Sequence, residues 1–404
     1  MNYPPRLNIA CITPLNPMPT GLSDYGEMLL PALAEHVDLT LYSDCGVPSN
    51  QAIAARFDVR PVQQLLRHHH EHDLRLYQIG NSNHHASAFD MLRCLPGVVT
   101  LHEPFLHIGF RNSTRSRYER ELSYELGYLS QAEKSYWLSE ENRERLLAQA
   151  PLIGRVVDSS LGIIVHSQYA RAKVRTGLDQ RERAGPPEVA VIPHLMPLLP
   201  TGTHQAYRPE FGLPADRLIV GVIGIIAPLK EPDLILQAMA QACTVRPDLQ
   251  LVFAGECPPL YSLDSSVEQL GLTDRVVFLG RIDPLERLHR AMLACDIIIV
   301  LRRPTIGETS GIALRTLALG RPLIVRNVGW FSELPAEAVL KLNPADGVEA
   351  LAHALLDLAE APDRRERMGD AGRHYIQTEC DVAVAARRYA NFLQATWQRV
   401  VKGI

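Results

Sequence analysis

Between two apolar runs, Asp296–Leu301 and Leu323–Val325, lies the stretch RRPTIGETSGIALRTLALGRP, Arg302 to Pro322. It holds two leading arginines, an acid (Glu308), a small pair (Ser310, Gly311) and a helical pattern that ends at Gly320. Read as strand, loop, helix start and strand, it offers a helix N-terminus whose unpaired N–H groups and partial positive charge attract an anion. Gly311 admits a ligand close to the backbone. An acid just ahead of a phosphate-compatible helix start fits a ligand that carries both phosphate and hydroxyls. A nucleotide sugar is the natural candidate.

Other loops carry reactive side chains just after apolar runs. GVIGIIAPLKEPDLILQAMA (Gly221 to Ala240) sets Lys230 between a strand and a helix that starts near Pro232, where an ammonium can meet a diphosphate as a point charge. Alone it reads equally well as a surface lysine; with Glu308, Ser310 and Gly311 the ligand reading is favoured. PMPTGLSDYG (Pro17 to Gly26) offers Gly21 and Ser23–Asp24 at a helix start, against the plainer reading of a capped loop. In GVVTLHEPFLH, His102 ends a strand and Glu103 follows at its mouth, although a lone histidine is often a satisfied structural group. IGNSNHH (Ile79 to His85) ends another strand, with Asn81 and His85 suited to acceptor hydroxyls; an Asn/Ser turn is the competing reading. The dense set His68, His69, His70 and His72 reads as solvated side chains at the end of an amphipathic helix. Neither a cysteine spacing nor an acid-bearing partner motif supports zinc, so no metal site is expected.

These loops need a scaffold of strands that point them one way. Apolar runs alternate with helical patterns: Leu7–Ile12, Val37–Tyr42, Leu74–Ile79, Val98–His102, Leu161–His166 and Val189–Ile192, then Leu218–Ile223, Leu251–Ala254, Val276–Leu279, Ile297–Leu301, Leu323–Val325 and Val339–Leu342. Strands without polar alternation belong to parallel sheets covered by helices on both faces. A chain of 404 residues divides into two such domains, with the Pro- and Gly-rich segment Pro193 to Pro214 as linker. Two facing doubly wound domains would take the ligand between them, outside the carboxyl ends of the strands. From His102 to Ala150 the pattern is a helical excursion rich in aromatics, with basic residues at Arg111, Arg115, Arg117 and Arg120.

Bulk properties narrow the class. Apolar content of 46% and charged content of 21% are those of a soluble globular protein. A net charge of −4 argues against general nucleic-acid binding. No apolar run approaches the ~20 residues of a spanning helix. The seven dispersed cysteines fit reduced thiols, and a cytoplasmic location is expected.

With this layout the chain resembles the retaining GT-B glycosyltransferases of family 4, also called group 1. VIGIIAPLKEPDLILQAMA resembles the family's G-R-x-x-x-x-K segment, and LVFAGE and RVVFLGRI its next two strand ends. GETSG, LALGRP and GWFSELP resemble its signature region; PTGLSDYG, VTLHEP, IVHS and VIPHL resemble landmarks of the first half. The resemblance implies two Rossmann-like domains, an acceptor domain over 1–200 and a donor domain over 201–380, with a helix over 381–404 crossing back to the first. It implies a nucleotide-sugar co-substrate, no metal, and a carbohydrate or lipid-linked acceptor. Carried over by position, Glu308 contacts the donor sugar and Lys230 its diphosphate; Ser310, Gly311 and Ile312 face the diphosphate through their backbone. His102 faces the sugar, Gly21 the phosphates, and Arg281 and Ile282 the nucleobase; Asn81, His85 and Glu103 are assigned to the acceptor.

Two departures stand out. The family's arginine before the lysine falls at Ile225, and Arg302 or Arg303 is expected to replace it. The family's second glutamate falls at Thr316, or with a one-residue shift at Arg315, and neither accepts two ribose hydroxyls as a carboxylate does. A binding or assembly protein that keeps the fold without transfer is therefore the alternative. An epimerase, a phosphorylase or a Rossmann dehydrogenase has no distinctive signature here, and no G-x-G-x-x-G follows the first strand. The aromatics and arginines of 105–137 fit peripheral contact with an anionic membrane, but a helical subdomain with a solvated basic face is preferred.

Overall fold

The computed structural model describes residues 6–139, 146, 149–181, 185–259, 261–305 and 307–403. The chain divides into two compact units: residues 1–195 with 306–309 and 382–404, and residues 196–305 with 310–381.

Unit 1 is built on seven parallel strands: β1 (Asn8–Ile12), β2 (Asp38–Tyr42), β3 (Asp58–Arg60), β4 (Leu74–Ile79), β5 (Gly97–Leu101), β6 (Ser160–Val165) and β7 (Glu188–Val191). Their order is β3-β2-β1-β4-β5-β6-β7. Unit 2 has six parallel strands: β8 (Leu218–Ile223), β9 (Leu249–Ala254), β10 (Val276–Phe278), β11 (Ile297–Val300), β12 (Leu323–Arg326) and β13 (Val339–Leu342). Their order is β10-β9-β8-β11-β12-β13. Every residue of β5, β8 and β9 is buried, as strands covered on both faces require. Both sheets are doubly wound around a central reversal of strand order, as the apolar runs predict. Only β3 lacked a forecast, because the three residues Asp-Val-Arg at the sheet edge form no apolar run.

The last helix, Val382–Lys402, belongs to unit 1. Its Ala385, Ala386, Tyr389, Phe392 and Leu393 share one core with Tyr25, Leu29, Leu30 and Leu33 of α1 (Gly21–Leu33). The phenols of Tyr25 and Tyr389 hydrogen-bond at 2.8 Å inside that core. Two adjacent alanines give the helix a flat face for close packing, and the paired hydroxyls satisfy groups that would be costly to bury alone.

The segment 193–214 is only in part a linker. His204–Tyr207 forms a short helix and Arg208–Phe211 a 3-10 turn. Arg208 is buried; its guanidinium pairs with Asp296 at 2.5 Å and donates to the Ala215 carbonyl at 2.8 Å. The same carboxylate accepts from the Ile219 amide at 2.6 Å, so this turn is stitched to the base of β8 and β11. The loop at 307–309 follows β11 in sequence yet counts with unit 1. Gly307 has φ +80°, and a Cβ there would meet Pro104 at 2.7 Å and Tyr169 at 2.9 Å, so glycine is required on both counts.

Between β5 and β6 run the helices His107–Arg111, Arg115–Leu126 and Gln131–Trp137; residues 140–145 and 147–148 of the expected helical excursion lie outside the described residues. Phe105, Phe110 and Leu122 are buried, whereas Tyr128 is 94% exposed, so the aromatic stripe is only partly a core. No helix among the described residues is long and apolar enough to cross a membrane.

Candidate functional site

In unit 2 the loops after β8 and β11 converge. Gly224, with φ +86°, turns the chain at the end of β8, and a Cβ there would lie 2.9 Å from Lys230 Nζ and 3.8 Å from Ile312 Cγ1. The ammonium of Lys230 and the start of the helix Gly311–Ala318 thus both lie beside one glycine. Lys230 closes the 3-10 turn Pro228–Lys230 and donates to the Ile223 carbonyl at 3.0 Å. Burial, with the nearby charge of Arg302 added, brings its pKa down to about 8. A lysine made uneasy by burial and a neighbouring cation is one that an incoming phosphate stabilises.

The turn itself is held by a pair the sequence did not advertise. Glu231 has φ +55°, a left-handed conformation costly for a side-chain-bearing residue. Arg326, at the end of β12, grips it in bidentate fashion at 2.6 and 2.8 Å and also donates to the Asn343 and Asp346 carbonyls at 3.0 and 3.1 Å. Its side chain is 1% exposed. A fork-to-carboxylate pair of this kind fixes direction as well as position, and here it fixes the residue that follows Lys230. Ninety-five positions separate Glu231 from Arg326, so no local pattern could have paired them.

Ser310 caps the phosphate-compatible helix, its hydroxyl accepting from the Ala313 amide at 3.2 Å. Behind it Arg315 folds back and donates to the Gly311 carbonyl at 3.2 Å. Thr316 is fully buried and donates to the Ile312 carbonyl at 2.8 Å, so of the two residues aligned with the missing acid only Arg315 has any exposed surface. His289, on the helix Leu285–Ala294, feels the Arg315 charge, and its buried Nε2 has no partner among the described residues. Ile225 is 63% exposed at the position of the family's arginine. Arg302 is half-buried beside Lys230, whereas Arg303 is exposed. Arg281 is exposed and paired with Asp283 at 2.5 Å; Ile282 is buried in the unit 2 core.

Glu308 is buried and counts with unit 1, where its charge raises the pKa of Tyr169 beyond what burial does. The remaining first-half residues also fall at strand ends of unit 1. Gly21 opens α1 behind the N-cap Thr20, and open space surrounds its Cα, so sterics alone do not demand glycine there. Asn81 is a tie: its Oδ1 accepts from the amides of Ile108 and Gly109 at 2.8 and 3.1 Å, while its buried Nδ2 has no partner among the described residues. His85 lines a small cavity with Ser82, Phe89, Phe110 and Arg117; burial lowers its pKa to about 4, and its buried Nδ1 has no partner among the described residues. Glu103 is half-buried directly after His102.

His102, expected to face the sugar or else to be a satisfied structural group, has partners on both ring nitrogens. It is buried at the end of β5, with Nε2 2.7 Å from the Gln78 amide and Nδ1 3.0 Å from His166 Nε2. His166 in turn places Nδ1 2.9 Å from the Ile192 carbonyl. Tyr25 packs against the rings of His102 and His194 at 4.7 Å each and His166 at 5.4 Å. Burial, then the neighbouring histidines, lowers the His102 pKa well below the usual value. Both ring nitrogens are spoken for, so the side chain as it stands is no free acid or base. His72 departs from the solvated reading of its cluster: it is buried, bonded to the Tyr42 phenol at 3.0 Å and to Asn8 at 3.1 Å. Among the described residues no group of three or more His, Cys, Asp or Glu is placed to hold a metal ion.

Two doubly wound parallel sheets, functional groups at their carboxyl ends and a last helix returned to the first unit define a GT-B protein. Among solved structures, sucrose-phosphate synthase of Thermosynechococcus elongatus matches with TM-score 0.68 over 97% of this chain and 100% of that one, at 21% identity. HepE of Anabaena in complex with UDP matches with TM-score 0.67 over 96% and 100%, at 17% identity. Residues 203–375 match the model of the glycosyl transferases group 1 family. The chain is thus a GT-B protein related to the family 4, group 1 glycosyl transferases. The D-inositol 3-phosphate glycosyltransferase of Segniliparus rotundus is 30% identical over 212 residues, 50% of this chain and 46% of that protein. A GDP-mannose-dependent monoacylated alpha-(1-6)-phosphatidylinositol monomannoside mannosyltransferase of Corynebacterium glutamicum is 28% identical over 198 residues, 47% of this chain and 51% of that one. The chain spans about half the length of the curated relatives it matches.

Proposed function

We propose that this protein moves a sugar from a nucleotide-diphosphate sugar to a hydroxyl acceptor with retention of configuration. The observation that carries the reading is the convergence of Lys230, with Arg302 beside it, and the N-terminus of Gly311–Ala318 around Gly224. A departing nucleotide diphosphate concentrates negative charge where these groups point, and fixed donors aimed at developing charge are commonly the largest catalytic contribution. The anomeric carbon–phosphate oxygen bond breaks toward an oxocarbenium-like state. The acceptor oxygen bonds to the same face, and its proton passes to the leaving phosphate oxygen. No side-chain nucleophile is needed, which agrees with a His102 already engaged on both nitrogens. Glu308 takes sugar hydroxyls, and Asn81, His85 and Glu103 serve the acceptor, a glycan, glycolipid or small molecule. Arg302 stands in for the cation lost at Ile225, and Arg315 is the residue left to meet the nucleoside.

Transfer assays across a panel of nucleotide sugars test the reading, with Glu308→Ala and Lys230→Ala as controls; donor turnover that both variants preserve would remove the site. The alternative, a GT-B binding or assembly protein without turnover, draws on the exposed Ile225 and the buried Thr316. Affinity for a nucleotide sugar with neither transfer nor hydrolysis would decide for it. A cytoplasmic location goes with the transferase reading. Membrane contact through 105–137 is the weaker part, because Arg115 pairs with Glu119 and Arg117 with Asp90, which offsets the basic face. Liposome sedimentation at varied salt tests it, and salt-sensitive binding would restore it.

A further inference from the structure

We propose that His166 is a positioning residue that fixes the tautomer of His102, holding its proton on Nδ1 and its lone pair on Nε2. The inference rests on the proposed transferase reading only in taking His102 to face the donor sugar, as the family resemblance implies; the proton order follows from unit 1 itself. It starts at the Ile192 carbonyl, which can only accept. His166 Nδ1, 2.9 Å away, must therefore carry a hydrogen. Complete burial brings the His166 pKa down to about 4, so near neutral pH the ring holds one proton, and its Nε2 is an acceptor. That acceptor faces His102 Nδ1 at 3.0 Å, which must in turn be the donor. His102 is neutral for the same reason, so its Nε2 keeps a lone pair.

A second observation agrees from the far end of the chain. With Oε1 of Gln78 toward His102 Nε2 at 2.7 Å, two acceptors would meet, and the Gln78 –NH2 is left buried with no partner among the described residues. Turning the amide over removes both faults, since –NH2 then donates to the imidazole lone pair. Unpaired buried donors are rarer than under-satisfied carbonyls, so this orientation is the better one. The order of donors is thus Gln78 to His102, His102 to His166, His166 to Ile192. The other titratable groups near His102 are Tyr25, His194 and His85; the Tyr25 hydroxyl is turned away to Tyr389, which also accepts from Thr100 at 3.2 Å. Residues within or just past four neighbouring strands, β4 to β7, therefore set one proton.

The consequence is specific. His102 can accept a hydrogen bond at Nε2 when Gln78 yields, and it cannot donate one there. A ligand hydroxyl that reaches it must come as the donor.

The test is nitrogen NMR on the full chain labelled with 15N-histidine, near neutral pH, with His102→Gln to assign the ring. The expected spectrum shows His102 protonated on Nδ1 and bare on Nε2, with no substrate present. His166→Phe removes the acceptor, and His102 is expected to move toward the Nε2–H form, with kcat down by about tenfold and KM for the donor little changed. His166→Gln, whose amide can both donate to Ile192 and accept from His102, is expected to restore the Nδ1–H form and most of the rate. A wild-type His102 protonated on Nε2 overturns the proposal, as does a His166→Phe variant whose His102 tautomer is unchanged. If His166→Phe fails to fold, the wild-type and His166→Gln spectra still decide. The expected tautomer in a protein that transfers no sugar would leave this inference standing and sink the proposed function instead.

Discussion

At the carboxyl end of the second sheet, Lys230 and Arg302 crowd beside a helix N-terminus, whereas at the same end of the first sheet His102 and His166 bond ring to ring beside Tyr25. The two sheets share their parallel, doubly wound plan. Unit 2 holds positive groups near one another in its loops at an energetic cost that a phosphate would relieve. Unit 1 keeps two uncharged imidazoles that answer one another's hydrogen bonds. The lesson is that strand order places groups at an edge, while the partners of those groups decide whether the edge binds a charge or orders a proton.

The largest effect is expected where unit 2 holds its loop. Arg326→Met leaves Glu231 with an unpaired, largely buried carboxylate and should destabilise that unit by about 3–5 kcal/mol, read as a lowered denaturation midpoint. An unaltered midpoint would mean that Glu231 does not depend on the clamp. Next, Lys230→Ala should lower kcat by about 10²–10³-fold, the range seen when one donor to developing charge is removed; a near-normal rate would erase the contrast between the units.

Acid should act on the other side of the comparison. His85 and His166 lie near pKa 4 in the folded state against an ordinary value of 6.5. The unfolded chain therefore binds more protons between those values. The stability they contribute is complete above about pH 6.5 and is lost as pH falls toward 4, by up to ~3 kcal/mol per histidine. Hydrogen exchange across that window should show unit 1 loosening before unit 2; the reverse order would contradict the neutral assignment. The smallest effect separates two neighbours. Arg302→Gln should weaken nucleoside diphosphate binding by about tenfold, and Arg303→Gln by much less, because only Arg302 lies close enough to act on Lys230. Isothermal titration of both variants reads the difference, and equal losses would return the question to the exposed loop as a whole.

Much of this was legible in the chain. The strands of both sheets, β3 excepted, announced themselves as apolar runs, because a strand buried on two faces has no room for polar alternation. Ser310 before Gly311 read as a helix start and is one. What failed to show was any dependence between distant residues. His102 stood out by its position at a strand end, but nothing local to it said that His166 and Gln78 would occupy both nitrogens. Asn81 read as an acceptor ligand, and nothing local to it said that its Oδ1 would tie down the amides of Ile108 and Gly109. His72, taken with its neighbours as solvated, is drawn inward by Tyr42 and Asn8 from two different strands.

The sequence by itself determined the kind of sheet, the alternation of strand and helix, and the two loops proposed to meet a phosphate, because periodicity and helix capping are properties of neighbours along the chain. Tertiary structure alone decided that Thr316 is core and Arg315 is not, that Arg326 holds the residue after Lys230, and that the last helix and the 307–309 loop count with the first unit. The physical reason is the same in each case. Burial and hydrogen-bond partnership are set by which elements meet in space, and the charge, tautomer and reach of a side chain follow from those meetings rather than from its place in the sequence.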